Sequence, residues 1–215
     1  MVLVSHKHKF IYIKTAKVAG SSVEAFFGQF CVGPKAKYNF KDRQDAIDSH
    51  WGIVGNRMGG ITKSGITAHM TAKAIRRRIG VEKFGSYFKF CVVRNPWDVL
   101  VSRYLWRTKK TNSYSSFKNF VKGINGMKNW NIMSIDDKLV CDYYIRFENL
   151  EAGVCEVCEK LDIKDYDISK LPHHKSGIRE DGDRDWRKFY DNETRALVEK
   201  LYKPYIEKFG YSFDD

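Results

Sequence analysis

The chain has 215 residues, 43% of them hydrophobic, and a formal net charge of +12 from 38 Lys and Arg against 26 Asp and Glu. That length suits one domain with a substantial core, the apolar content is ordinary for a globular protein, and no run approaches the ~18 apolar residues of a membrane-spanning helix. The charge implies anionic partners through its field, but it is spread along the chain without a zinc-finger or aromatic-basic signature, so nucleic acid is not expected among them.

The segment Met1 to Lys9 holds too short an apolar stretch for a signal peptide, and a cytoplasmic protein is expected. Phe10 to Ile13 is a nearly continuous apolar run, as in a central parallel strand covered on both faces. After a turn ending at Gly20, Ser21 or Ser22 is expected to cap a helix whose Val23, Phe26, Phe27 and Phe30 recur at i, i+3, i+4 and i+7. Residues 33–66 lack periodicity and carry Gly52, Gly55, Gly59, Gly60 and Gly65, so they read as a long substrate-side loop. Thr71 caps a short helix with Ala72, Ile75 and Ile79 inward, stopped by Gly80. The adjacent Arg76-Arg77-Arg78, like Lys109-Lys110, reads as a solvated face.

Phe88 to Val93 is a second buried strand. Asn95 then caps, Pro96 takes the first helical position, and Trp97, Leu100, Val101, Tyr104 and Leu105 form a buried stripe. Residues 115–122 read as helix, Leu139 to Phe147 as strand and 151–161 as helix. A last helix runs from Asp191 to Lys208 with Leu197, Leu201 and Tyr205 inward and a kink at Pro204. The five cysteines (Cys31, Cys91, Cys141, Cys155, Cys158) are odd in number and sit in apolar or helical patterns. They read as core thiols in a reducing compartment, and no second pair completes a zinc site around Cys155 and Cys158. Strand–helix alternation predicts a single domain over 1–215, an α/β fold with an open, mainly parallel sheet flanked by helices.

Two stretches carry chemistry. Phe10 to Glu24 and Phe90 to Ser102 each read as strand, cation-bearing turn and helix start, where backbone N–H groups and the helix dipole hold phosphate. Two anion sites suggest a ligand phosphorylated at both ends. The segment Lys17-Val18-Ala19-Gly20-Ser21-Ser22 resembles the 5′-phosphosulfate loop of sulfotransferases. Arg94-Asn95-Pro96, with Ser102 eight residues after the arginine, resembles their 3′-phosphate site. Arg146-Phe147-Glu148-Asn149-Leu150 and Phe209-Gly210-Tyr211-Ser212-Phe213 agree in order, and the likeness is closest to carbohydrate-type and bacterial-type members.

The resemblance implies a P-loop-like sulfotransferase fold and transfer of a sulfuryl group from 3′-phosphoadenosine 5′-phosphosulfate, with adenosine 3′,5′-bisphosphate as product and no metal. The acceptor it implies is a hydroxyl, with carbohydrate favoured. Lys17 occupies the family's lysine position, where a compact ammonium meets charge on the departing phosphate. Lys14, Ala19, Gly20, Ser21 and Ser22 would contact the 5′ side, and Arg94 and Ser102 the 3′-phosphate. Ala16 and Val18 stand where the family more often has Pro and Thr, so a hydroxyl contact at position 18 is absent. The general base is His69, just before the Thr71 cap, or Glu24, with His50 third. Ser176 and Arg179, after His173 and His174, fall where relatives close over the nucleotide. Two rivals stand beside this reading. A P-loop phosphotransferase needs GxxxxGK[ST], which the chain lacks; its nearest approach, Gly28 to Lys35, has Pro34 before the lysine. A non-catalytic module for nucleotides or anionic glycans is the other.

Overall fold

In the computed structural model, residues 1–34, 36, 38, 46–55, 65–111, 115–172 and 185–215 are described. Strands β1 (Leu3–Ser5), β2 (Phe10–Tyr12), β3 (Ile47–Ser49), β4 (Gly52–Val54), β5 (Phe88–Val93) and β8 (Tyr143–Arg146) form one sheet in the order β3-β4-β1-β2-β5-β8. β6 (Ser134–Ile135) and β7 (Lys138–Leu139) make a separate hairpin. β5 pairs parallel with β2 and with β8, whereas β1/β2, β1/β4 and β3/β4 pair antiparallel.

The expected mainly parallel sheet is therefore corrected to a mixed one. β1 leads to β2, and β3 to β4, through turns too short for a crossover, and such neighbours must run antiparallel. β3 and β4 also lie inside the stretch expected to be irregular loop; residues 56–64 of that stretch lie outside the described residues.

The helices are α1 (Gly20–Phe27), α2 (Ala72–Ile79), α3 (Val81–Ser86), α4 (Pro96–Thr111), α5 (Phe117–Lys122), α6 (Lys128–Met133), α7 (Leu150–Lys160), α8 (Asn192–Leu201) and α9 (Lys203–Phe209). Thr71 caps α2 by accepting from the Ala74 N–H, and Asn95 Oδ1 accepts from the Trp97 N–H at the start of α4, both as expected. The C-terminal helix is two: α8 ends at Leu201, Tyr202 takes φ −98°, and Pro204 begins α9 as a second helical residue. The break comes before the proline because Pro204 has no N–H to donate to the Lys200 carbonyl and its ring crowds that carbonyl. Of the expected inward face Tyr205 is buried, but Leu197 is 39% exposed and Val198 and Tyr202 are buried instead.

The backbone divides into two compact units, Met1–Val93 with Asn129–His174, and Arg94–Lys128 with Lys175–Asp215. The first is centred on rings of β2, β5 and α1: Phe90 lies 5.3 Å from Tyr12, 5.6 Å from Phe10 and 4.9 Å from Phe27 between centroids. Gly153 lets α7 approach β8, since a Cβ there would meet Ile145 Cγ2 at 2.7 Å. The second unit gathers Trp97, Trp186 and Tyr190 around Phe213, with the Arg195 guanidinium 4.4 Å over that ring.

Candidate active site

The loop from β2 to α1 carries most of the expected residues. It leaves the sheet after Ile13, whose N–H still reaches the Phe90 carbonyl at 2.9 Å. The Thr15 hydroxyl donates to the Val92 carbonyl at 2.5 Å, and both backbone groups of Ala16 are taken by the Asn129 side chain. Lys17 and Ala19 then adopt left-handed backbone, φ 65° and φ 55°, on either side of a fully buried Val18. Such conformations cost non-glycine residues roughly 1–2 kcal/mol each. The hydrogen bonds on Thr15 and Ala16 and the burial of Val18 hold them there.

Helix α1 begins differently from expectation. Ala19, not Ser21 or Ser22, occupies the N-cap position, and no side chain caps the helix. Both serines lie in its first turn, with Ser22 buried and Ser21 half-buried. A left-handed residue at the cap turns the chain sharply enough that no preceding side chain bonds the first N–H groups. The Ser22 N–H turns back to the Ala19 carbonyl at 2.9 Å, and a helix start with no side-chain cap directs the N–H groups before it and the dipole's positive end toward an anion. Gly20 has a packing reason as well: a Cβ would meet Lys14 Cε and Tyr12 Oη, both at 3.1 Å.

Lys14 is only 7% exposed and passes beneath the helix start. Its ammonium lies 2.5 Å from Glu24 Oε2 and 3.5 Å from Ser21 Oγ, the latter at the long limit of a hydrogen bond. The Met1 ammonium also meets Glu24 Oε2. Glu24 is completely buried; burial alone would raise its carboxyl, but the adjacent Met1 and Lys14 cations more than offset that and hold it below the usual carboxylate range. A buried, ion-paired carboxylate with a depressed pKa is a poor proton acceptor.

His69 is exposed, also left-handed at φ 57°, and its Nδ1 lies 3.1 Å from the Lys14 carbonyl. A carbonyl only accepts, so Nδ1 carries the proton and the neutral ring keeps its lone pair on Nε2. The structure thus brings Lys14, Lys17, Ser21, Ser22, Glu24 and His69 to one loop and its helix. His50 lies in the turn between β3 and β4, beside Trp51.

In the second unit Arg94 directly follows β5 in the chain and is buried. Its Nε and an Nη each reach Asp98 Oδ2 at 2.6 Å, and the Tyr205 hydroxyl bonds the Arg94 N–H and carbonyl, both at 3.2 Å. Asn95 Nδ2 donates to the Ser212 carbonyl at 2.8 Å. Ser102 is half-buried on α4, about two turns after Asn95 and on the same helical face as Asn95 and Asp98. Ser176 and Arg179 lie outside the described residues.

Sequence reasoning missed Asn129, Asp98 and Tyr205. Asp98 was readable as the i+4 partner of Arg94; Asn129 and Tyr205 reach across 113 and 111 positions, beyond any local signal. Among the described residues no group of three or more His, Cys, Asp or Glu could hold a metal ion, and no helix is long and apolar enough to cross a membrane. The cysteines are free thiols; burial pushes Cys31 and Cys91 well up and Cys158 up to about 12.

A family model described as "Sulfotransferase family" matches residues 1–212. A similar protein, an uncharacterized protein of Archaeoglobus fulgidus, is 35% identical over 103 residues, covering 43% of this chain and 82% of that protein. No solved structure matches the chain.

Proposed function

The chain belongs to the sulfotransferase family, and from that premise we propose that it moves a sulfuryl group from 3′-phosphoadenosine 5′-phosphosulfate to an acceptor hydroxyl of a carbohydrate. The observation that carries the proposal is the uncapped start of α1, preceded by Lys17 in left-handed backbone. First-turn N–H groups, the Ser21 and Ser22 hydroxyls and the Lys17 ammonium are all donors, and the Glu24 carboxylate on the same helix is buried and paired with Lys14. That donor set suits a phosphosulfate. In this sense the β2–α1 connection is P-loop-like without a P-loop sequence.

In the transfer the S–O bond to the 5′-phosphate breaks, an S–O bond to the acceptor oxygen forms, and the acceptor's proton must leave. Lys17 offsets charge on the departing phosphate. His69 takes the proton at Nε2, since its Nδ1 is turned to the Lys14 carbonyl. Arg94 and Ser102 hold the 3′-phosphate, with the Arg94 fork oriented by Asp98. Ser176 and Arg179 are further contacts to the nucleotide.

Calorimetry with adenosine 3′,5′-bisphosphate, AMP and ATP tests the donor. Charge-assisted contacts contribute roughly 1.5–3 kcal/mol each, so the bisphosphate should bind at least about tenfold more tightly than AMP. Equal affinity for the two overturns the assignment, and tighter ATP binding favours a phosphotransferase. Turnover of labelled sulfate donor over a panel of sugars, alcohols, phenols and tyrosine peptides then tests the acceptor. Bisphosphate binding with no transfer to any of them would make the protein a non-catalytic module.

A further inference from the structure

We infer that Asn129 is a positioning residue for Lys17, an inference that rests on the reading of Lys17 as the cation of sulfuryl transfer. The Ala16 N–H donates to Asn129 Oδ1 at 2.8 Å, and the Ala16 carbonyl accepts from Asn129 Nδ2 at 3.0 Å. One carboxamide therefore closes both backbone groups of one residue, as a neighbouring strand would. It does so beyond the end of β2 at Tyr12, where the sheet has stopped directing the chain.

The carbonyl held by Asn129 belongs to the peptide that joins Ala16 to Lys17. Fixing that plane fixes the direction in which the Lys17 side chain leaves the backbone, given φ 65° at Lys17. The Thr15 hydroxyl on the Val92 carbonyl anchors the chain just before, and buried Val18 anchors it just after. Asn129 is 9% exposed on α6, so water competes poorly for its bonds. The chemistry is specific to asparagine at this reach. An aspartate accepts from the Ala16 N–H but sets a second carboxylate oxygen against the Ala16 carbonyl, and an alanine releases both groups. A freed peptide swings the Lys17 ammonium away from where charge develops, and misplacement of about 1 Å is worth roughly 10²-fold in rate.

The test is a double-mutant cycle on kcat, read as release of adenosine 3′,5′-bisphosphate from the donor, with water as acceptor where no sugar serves. In that case donor and water give the ionised bisphosphate, sulfate and two protons. Asn129→Ala should lower kcat about 10²-fold, and Asn129→Asp comparably near neutral pH, with the donor KM moved no more than about 3-fold. In the Lys17→Ala background, Asn129→Ala should cost nothing further, because its effect passes through the missing ammonium. Multiplying losses, or an effect confined to KM or melting temperature, overturns the positioning role while leaving Lys17 in place. Undiminished turnover in Lys17→Ala overturns the reading beneath it. Should Asn129→Ala fail to fold, Asn129→Asp in the same cycle gives the same decision.

Discussion

Replacing Glu24 by glutamine separates a structural carboxylate from a catalytic one. Glu24 is fully buried and shared by the Lys14 and Met1 ammonium groups, 2.5 Å from the former. Glu24→Gln keeps the volume and one acceptor oxygen but leaves the Lys14 ammonium buried without its countercharge. Breaking a buried pair in this way costs about 3–5 kcal/mol. At ~2–4 °C per kcal/mol for a chain of this size, the melting temperature should fall by roughly 6–20 °C. Lys14→Met should cost less, because the Met1 ammonium still faces the carboxylate.

The pH dependence has a definite sign. The folded Glu24 carboxyl sits below the usual carboxylate range, so its contribution is complete above the unfolded value and disappears as pH falls through the folded one. The stability gap between wild type and Glu24→Gln should therefore close in acid as the carboxyl protonates, while at higher pH it also follows the Met1 ammonium, which burial and Lys14 push well below its usual value. Melting followed by circular dichroism, with kcat measured on the folded fraction, reads both effects. Were Glu24 the general base, Glu24→Gln would melt like wild type and lose about 10²–10⁴ in kcat. That outcome would refute the assignment of Glu24 to the ion pair and move the base from His69 to Glu24.

Lys17→Gly should melt no lower than wild type and lose about 10²–10³ in kcat, since glycine relieves the left-handed strain and removes the cation; a large fall in melting temperature would show that the strain is not there. Ser102→Ala should narrow the preference for adenosine 3′,5′-bisphosphate over AMP without changing stability, as read by calorimetry; an unchanged preference removes Ser102 from the 3′-phosphate. Arg94→Ala should abolish that preference but also destabilise the fold, because Asp98 is then buried without its guanidinium. For His69, kcat/KM should rise with pH through the range in which imidazoles titrate, and His69→Ala should flatten that limb while leaving bisphosphate affinity intact; a fully active His69→Ala moves the search to His50.

What the sequence disclosed follows from how far each interaction reaches. β5 and the start of α4 were legible to the residue because an unbroken apolar run, an asparagine cap and an N-terminal proline are local and mutually consistent. β1, β3 and β4 were not, since three residues are too few to show a period of two, and their stability comes from the sheet they join. Leu197 and Leu201 misled because the buried stripe runs through Thr194, Val198, Tyr202 and Tyr205, one position further along the chain. At the site, the motif gave the lysine, serines and arginine but not their circumstances. The family resemblance and its place just after the loop made Glu24 a candidate base, and only the fold brings two cations onto it. Spacing suggested that a serine caps α1, whereas the left-handed Ala19 leaves the helix start uncapped. That difference favours function: a serine hydroxyl committed to its own backbone would compete with an anion for the same N–H groups. Uncapped, α1 gives up about 1 kcal/mol of helix stability and keeps those donors for a ligand. The loop in front of it must then be held by something other than a cap, and Thr15, Asn129 and the buried Val18 supply that hold from β5, α6 and the core.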